Sequence, residues 1–462
     1  MSRCAFAQER TFERAHTLAI SSMVGMGRKT VSGILCAGAQ QFNDWSAAYR
    51  LFERARFDMD ALFAPARCEV LARLGVEEPF VAMMDDTLVH KRGRKVYGAA
   101  WRKDPLGPSF HINFIWGQRF LQVSAALPDK TTPGLARAIP IDFNHAPSAA
   151  KPSKRASEDQ WAEYRARQKT MKLSYLGAER LAYLRSWLDE QNNQNRRLIV
   201  AVDGSYTNRT VFRNLPHDTV VIGRIRKDAK LFSPPAQGPG PGRRRFYGER
   251  LPTPEQIRQD GSVPWIPVEA FAAGKTHTFE VKTIAPVRWK AAGARDLRLV
   301  VVRPLAYRPR IGGRLLYRYP SYLLCTDPEL SLERLLQSYL WRWEVELNFR
   351  DEKTILGVGE AQVRTPEAVR TVPAFLVAAY AFLLLAGTAD KQAPNVLPLP
   401  KWRVPDPPAR KTTAQLVNEF RSELWGKAMG VNLGHFADAE PLRTKPVLLQ
   451  KPLLSAVCYA IK

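Results

Sequence analysis

The stretch SLERLLQSYLWRWEVELNFRDEK, which runs from Ser331 to Lys353, decides how the rest of this chain is interpreted. Its apolar residues recur at the spacing of a helix with one buried face. Ser331 is placed to cap the first turn, and Glu333 puts a negative charge in that turn. The stretch therefore predicts a long amphipathic helix that begins at Ser331.

One face of the predicted helix carries Tyr339, Arg342, Glu346 and Lys353. At about 100° per residue, these four positions fall within an arc of about 60°. An aromatic ring, a guanidinium, a carboxylate and an ammonium on one face are suited to gripping a DNA end beside a metal ion. The alternative is a solvated face, because charges at such spacings often form weak ion pairs. The tryptophan-rich, buried-looking surroundings favour a site.

Two apolar runs elsewhere end in acidic residues, as expected of buried strands that deliver their ends to a site. Pro79–Met84 is followed by Asp85 and Asp86, and the run RRLIVAVDGSYTN reaches Asp203. A two-metal phosphoryl-transfer site needs hard oxygen ligands on ions about 3.5 to 4 Å apart. Asp85 or Asp86, Asp203 and Glu346 are the candidates.

The composition indicates a polyanionic partner. Lysine and arginine total 69 against 44 acidic residues, so the net charge is 69 − 44 = +25. Nucleic acid is the usual partner of such a chain. The apolar run from Pro373 to Gly387 is shorter than a membrane span and predicts a buried helix, so no membrane partner is expected. Five scattered cysteines without a CxxC pair argue against a disulfide framework or a structural zinc site.

The helix and strand motifs together resemble those of a known family. Tyr339-x-x-Arg342-x-x-x-Glu346, followed after six residues by Lys353, resembles the complete YREK signature of bacterial insertion-sequence DDE transposases of the cut-and-paste group. Asp85-Asp86-Thr87 resembles the first aspartate motif of that group, and VAVDGSY around Asp203 resembles the second. The resemblance implies an α/β fold with an RNase H-like catalytic core.

The resemblance also implies roles for individual residues. Asp85, Asp203 and Glu346 would be the catalytic residues and would ligate two Mg²⁺ ions, for which Mn²⁺ can substitute. Asp86 remains the alternative to Asp85, since a shift of one residue exchanges them. DNA binding would fall to Tyr339, Arg342 and Lys353, which hold the phosphates and bases of the element end.

Some relatives stack a flipped base on an aromatic residue of a β-rich insertion. Trp265 and Trp289 are candidates for that role here, with an ordinary core position as the alternative.

Composition and order along the chain predict five segments, in which an all-helical N-terminal domain precedes a core that a β-rich insertion interrupts. The N-terminal helices form either a helix-turn-helix for the DNA groove or a simple helical bundle. The alternating stretch FHINFIWGQRFLQVSAAL predicts a hairpin around Gly117, and SPPAQGPGPG, from Ser233 to Gly242, predicts a turn-rich linker. The segments are a helical DNA-binding domain (1–76), the first part of the core with both aspartates (77–232), the β-rich insertion (233–328), the second part of the core with the glutamate helix (329–390), and a proline-rich linker with a small helical C-terminal region that is a candidate for dimerisation (391–462).

The implied function is that of a DNA transposase. It would bind the terminal inverted repeats of an insertion sequence, cleave the ends and transfer their 3′-hydroxyl groups to target DNA, acting as a homodimer on double-stranded DNA. A bacterial cytoplasmic, nucleoid-associated location is expected. The alternatives are a domesticated DNA-binding protein on the same scaffold and an RNase H-like structure-specific nuclease without transposition.

Overall fold

The structure is a computed structural model that describes residues 3–104, 107–108, 110–235, 245–308, 313–389 and 410–428. Most of the two predicted linkers, at 236–242 and 391–409, and the end of the C-terminal region, 429–462, lie outside the described residues.

Four helices form the N-terminal part, as the spacing of apolar residues predicts. They are α1 (Glu9–Val24), α2 (Val31–Ala37), α3 (Ser46–Glu53) and α4 (Met59–Arg73). Gly25 ends α1, and the Thr30 side chain caps α2 by accepting a hydrogen bond from the Gly33 amide. The helical character of this part is confirmed, whereas insertion into a DNA groove stays a prediction.

A mixed sheet with covering helices follows. Its first part contains β1 (Phe80–His90), β2 (Ala100–Lys103), β3 (Phe114–Pro128), β4 (Ala136–His145), α5 (Glu158–Thr170), α6 (Leu173–Glu190), β5 (Leu198–Val202), α7 (Arg209–Arg213) and β6 (Thr219–Arg224). Strands β1, β5 and β6 run parallel, with Met84 opposite Val202 and Val202 opposite Gly223. Strand β3 lies antiparallel to β1 on its other side. The α/β class and the two predicted strands are thereby confirmed, but β1 does not end at Asp85 and Asp86, because it continues through them to His90.

The region predicted as an insertion is β-rich, and its strands extend the same sheet. It comprises β7 (Leu231–Phe232), α8 (Pro254–Gln259), β8 (Ile266–Ala272), β9 (Lys275–Trp289), β10 (Asp296–Val302), β11 (Ala306–Tyr307), β12 (Leu316–Tyr317) and β13 (Ser321–Cys325). The strand order is β2-β3-β1-β5-β6-β13-β10-β9-β7, with β4 on β3 and β8 on β9. The antiparallel pair β6–β13 joins the core strands to those of the insertion.

The remaining helices are α9 (Leu332–Trp341), α10 (Trp343–Thr354), α11 (Pro366–Ala389) and α12 (Thr413–Ala428). The stretch predicted as one long helix is thus two, since α9 ends at Trp341 and α10 begins at Trp343. Arg342 between them keeps right-handed helical angles, φ −53° and ψ −32°, so the two follow one another closely. Helix α11 is apolar and long enough to cross a membrane, but 89% of its apolar window is buried in the protein, as predicted for a core helix.

One turn was predicted wrongly. The sequence around Gly117 favours a hairpin there, but β3 runs through it without a break. A Cβ at this position would lie 2.7 Å from the Val89 carbonyl oxygen, so the glycine permits close approach of β1 instead of forming a turn. The chain reverses earlier, between β2 and β3.

The sheet divides the interior into two apolar clusters. From Phe80 to Met84, even-numbered β1 residues belong to the cluster that contains α6 and α11, whereas Val81 and Met83 belong to the one that contains α9 and α10. Side chains of β5 alternate in the same way, with Val202 in the first cluster and Ala201 in the second.

A buried ion cluster ties the N-terminal helices to the core. Arg180 on α6 lies 2.6 Å from an Asp142 carboxylate oxygen on β4 and 3.0 Å from one of Asp60 on α4. The side chains of Arg180 and Asp142 are 8% and 10% exposed. Burial raises the pKa of Asp142, and the Arg180 guanidinium opposes that rise. The charged form of Asp142 therefore depends on this arginine.

Replacing Arg180 should lower the free energy of unfolding substantially. Arg180→Met leaves the Asp142 carboxylate buried without its cation, which costs about 3 kcal/mol of unfolding free energy. The matched control is Arg165→Met, whose partner Glu158 is 81% exposed, and which should cost under about 1 kcal/mol. Urea denaturation of both variants measures the difference. Equal losses would contradict the stabilising role of the buried cluster.

Candidate active site

Asp85 lies inside β1, on the sheet face that α9 and α10 cover. Asp203 directly follows β5, and its charge acts on Arg342 and Tyr339 as well as on Asp86. Because Met84 lies opposite Val202 in the parallel pair, Asp85 and Asp203 occupy the next position on the two strands. The sheet register therefore brings together two carboxylates that are 118 positions apart (203 − 85).

Arg342, between α9 and α10, links Asp85 to Glu346. Its Nη1 donates a 2.6 Å hydrogen bond to Asp85 Oδ2 and lies 3.3 Å from Glu346 Oε1. The side chains of Arg342 and Asp85 are 13% and 11% exposed, whereas that of Glu346 is 43% exposed. A charge-assisted pair this sheltered from water holds its partners more firmly than a surface pair.

The pKa values of Asp85 and Arg342 are shifted by burial and by the charged groups around them. Burial raises the pKa of Asp85 to about 7; Arg342 opposes the rise, and Asp86 and Glu346 add to it. Burial alone would lower the pKa of Arg342, but the charges of Asp85, Tyr339, Asp203 and Glu346 outweigh it. The site thus contains more negative charge than one guanidinium balances.

Tyr339 and Lys353 complete the four positions predicted on one helix face. Burial raises the pKa of Tyr339, Arg342 and Arg224 oppose that rise, and the charge of Asp203 adds to it. Burial lowers the pKa of Lys353, and the carboxylates of Glu352 and Glu346 oppose that shift. All four residues therefore interact electrostatically with the acids of the site or with each other.

Asp86 belongs to the other face of β1. Tyr206 Oη donates a 3.1 Å hydrogen bond to its Oδ1, and Arg119 Nε lies 3.3 Å from its Oδ2. Burial raises the pKa of Asp86, and Arg119 and Tyr206 oppose the rise. Both carboxylate oxygens of Asp86 thus have a protein partner.

A comparison with family models identifies the family to which the chain belongs. The model described as DDE superfamily endonuclease matches residues 4–290, which is more than half of the chain. The chain belongs to the DDE superfamily endonucleases. No curated protein matches it.

The family match includes Asp85 and Asp203 and ends before α9. The match therefore does not test the resemblance of Tyr339, Arg342, Glu346 and Lys353 to the YREK signature. Membership indicates a DNA substrate and nuclease chemistry of the transposase type, and enzymes of the DDE type generally use divalent metal ions.

The donors at the site suit such an ion in kind. Carboxylate oxygens are the ligands that Mg²⁺ prefers, and Asp85 and Glu346 share the single positive charge of Arg342. Among the described residues, however, no three aspartate, glutamate, histidine or cysteine side chains are grouped closely enough to share one ion. Arg342 lies against Asp85 and Glu346, where a cation would have to compete with it.

The two tryptophans proposed for base stacking pack inside the β-rich region predicted as an insertion. Trp265 has Lys282 at 4.7 Å and Arg303 at 5.6 Å from its ring centroid, and Trp289 contacts Phe212 edge to face at 5.6 Å. Both are partly buried against the core. The alternative of an ordinary core position therefore fits both residues better.

Sequence reasoning missed Arg224. This exposed residue ends β6, and Gly223 lies opposite Val202, so Arg224 is the strand neighbour of Asp203. The signal was available: the apolar run VVIG ends in RIRK, just as two earlier runs end in acids. Its charge acts on Tyr339, so a cation borders the site on the β6 side.

Glu352 was also overlooked. It lies on α10 one turn and a half beyond Glu346, is 1% exposed, and interacts with Gln122, the residue opposite Asp85 on β3. Burial raises the pKa of Glu352 to about 8, and the Gln122 hydrogen bond opposes the rise. A protonated carboxyl group therefore lies behind the site at neutral pH.

Glu352 should make the protein less stable as the pH rises. The pKa of Glu352 is about 8 in the folded protein, against an ordinary value of 4.5 for an exposed glutamate. Between these two pH values the folded state binds one proton more than the unfolded state, so the free energy of unfolding falls as the pH rises through this window. Glu352→Gln keeps the shape and removes this loss. The stability of the variant relative to the unaltered protein should rise by up to about 4 kcal/mol between about pH 5 and about pH 8. Thermal unfolding without metal measures it, and a difference independent of pH would contradict the assignment.

Proposed function

We propose that this endonuclease is a DNA transposase that binds the terminal inverted repeats of an insertion sequence, cleaves the element ends and transfers their 3′-hydroxyl groups to target DNA. The observation that carries the proposal is the meeting of Asp85, the strand end at Asp203 and Glu346 around Arg342 on one sheet face. A plain nuclease has no need for the cationic and aromatic residues of the same helix face.

Asp85, Asp203 and Glu346 would hold two Mg²⁺ ions, or Mn²⁺ in their place. When bound, such ions stabilise the attacking and leaving oxygens of a phosphodiester. The protein itself supplies position and charge. Asp85 and Asp203 are fixed by strands buried on both faces, and Glu346 by a helix packed on the sheet.

Asp85 is preferred over Asp86 as the first acid. Asp85 shares its face with Arg342 and Glu346, whereas Asp86 lies on the other face, against Tyr206 and Arg119. Both oxygens of Asp85 also have protein partners, the Asp86 amide and Arg342, so the preference rests on the face that Asp85 shares with Glu346.

Positive charge for the DNA comes from two directions. Arg342 and Lys353 share the face of α10 with Glu346, and Arg224 approaches from the end of β6. Arginine suits phosphate because its planar fork donates two parallel hydrogen bonds. We assign these residues, with Tyr339, to the phosphates and bases of the element end.

The excision of a mobile element requires two ends and so two active sites. We therefore propose a homodimer on double-stranded DNA, in the bacterial cytoplasm beside the nucleoid. The C-terminal region is the candidate contact.

Cleavage of the protein's own element ends tests the function. The protein is incubated with Mg²⁺ and labelled duplexes that carry the sequences flanking its gene. We expect a defined cut and joining to a target plasmid, and Asp203→Ala or Glu346→Gln should lower the rate at least about 1000-fold. Glu333→Gln, an exposed acid of neighbouring α9, is the control and should act normally.

Other outcomes identify the alternatives. Binding without cleavage by the unaltered protein would refute the catalytic proposal and leave a domesticated DNA-binding protein. A cut without joining would leave a nuclease that does not transpose.

The two neighbouring aspartates can be separated in the same assay. Asp85→Asn should abolish cleavage, because an amide is a poor ligand for Mg²⁺. Asp86→Asn should keep the rate within about 10-fold, since an asparagine oxygen still accepts the Tyr206 hydrogen bond. The reverse order of effects would exchange their roles.

A further inference from the structure

A strand and loop at the edge of the sheet expose aromatic and basic side chains that the active site does not use. We name residues 92–103 and 110–116 the edge flap; it contains β2 and the first three residues of β3. Its aromatic members point outward: Trp101 is 65% exposed, Phe114 57% and Phe110 92%. Ile112, 62% exposed, adds to the patch. Large apolar side chains grouped at a surface usually mark an interaction site.

The flap has a firm base, so its exposed rings are held in place. Trp116 Nε1 donates a 3.0 Å hydrogen bond to the Gly93 carbonyl, and Gln118 Nε2 a 2.7 Å bond to that of Tyr97. Trp101 lies opposite Trp116 in the β2–β3 pair, with ring centroids 5.7 Å apart. A side chain supported from behind loses little freedom on binding.

The charge of the flap is positive, although one acid, Asp104, adjoins Lys103 and is hydrogen-bonded to Asn113. Arg92, Arg94, Lys95 and Lys103 are exposed, and the sequence of the edge flap contains no aspartate or glutamate. A second copy of the chain is a poor partner, because a two-fold contact would set these cations against themselves. DNA is a fitting partner, since basic side chains neutralise phosphates and apolar wedges enter between base steps.

The position of the flap fits a duplex that also reaches the active site. His90 lies opposite Gly117, five positions along β1 from Asp85 (90 − 85), and Gly117 adjoins Trp116. At about 3.4 Å per residue this separation is about 17 Å along the strand. B-DNA rises about 3.4 Å per base pair, so the same distance corresponds to about five base pairs.

We propose that the edge flap is a second DNA-binding surface, on which Trp101 and Phe114 contact bases and the exposed arginines and lysines contact phosphates about five base pairs from the cleaved bond. This inference rests on the proposed function for the position of that bond. DNA binding by the flap itself does not depend on cleavage.

Binding is measured by fluorescence anisotropy of a 40-base-pair duplex of arbitrary sequence, with the full-length chain in EDTA so that nothing is cut. The double variant Trp101→Ala/Phe114→Ala should weaken binding about 10-fold or more. The triple variant Arg92→Ala/Arg94→Ala/Lys95→Ala should reduce the slope of log affinity against log salt by about 2 to 3. Val76→Ser, an 85% exposed apolar residue before β1, is the control and should change neither.

Thermal melting of each variant checks that it folds, which the exposure of these side chains predicts. Unchanged affinity and salt slope in folded variants would overturn the proposal. Unchanged DNA binding by variants that sediment as a smaller particle than the unaltered protein would also overturn the proposal, because the flap would then be a contact between protein chains. If the flap variants weaken binding but the unaltered protein never cuts DNA with Mg²⁺, the nuclease function fails and the flap proposal stands.

Discussion

The parallel pairing of β1 with β5 is the constraint on which the site depends. It fixes which residues of two distant segments become neighbours, and strand alternation then fixes which face each side chain takes. A shift of one residue in that register would move Asp203 away from its place beside Asp85. All five β5 residues before Asp203 are buried, so a slip that drew Asp203 among them would bury a charged group.

Arg342 is the second element that organises the site. Its position between α9 and α10 puts the guanidinium at the start of α10, four residues before Glu346, where it reaches both that acid and Asp85. The carboxylates stay close together because this cation lies against them. Their number still exceeds its charge, since Asp85 and Glu346 share one guanidinium. The site is therefore set up to accept further positive charge, which is what a divalent ion offers.

The sequence predicted the elements better than their assembly. The helical stretch from Ser331, the two buried strands and the buried α11 all follow from local periodicity, which is a property of consecutive residues. Periodicity did not show that β1 continues past Asp85 to His90. The choice between Asp85 and Asp86 does not, because both follow the same apolar run. It depends on which helices cover which face, and that is decided by contacts with α6 on one side and α10 on the other. Gly117 was misplaced for a similar reason: glycine permits a turn or a close strand approach, and only the neighbouring Val89 decides between them.

The continuity of the sheet links the two proposed DNA contacts to the active site. The edge flap, β3, β1, β5 and β6 are consecutive in the hydrogen-bonded order, and the β-rich region follows through β13. Flap and catalytic acids are thus joined by main-chain hydrogen bonds and not by a linker. Their spacing is fixed to the extent that a sheet is stiff. The helix that carries Glu346 is instead attached by side-chain contacts, among them Arg342 with Asp85 and the hydrogen bond from Asn348 to the Ala138 carbonyl. Any adjustment needed when DNA arrives should therefore fall on α10, since moving a packed helix breaks fewer hydrogen bonds than shifting a strand.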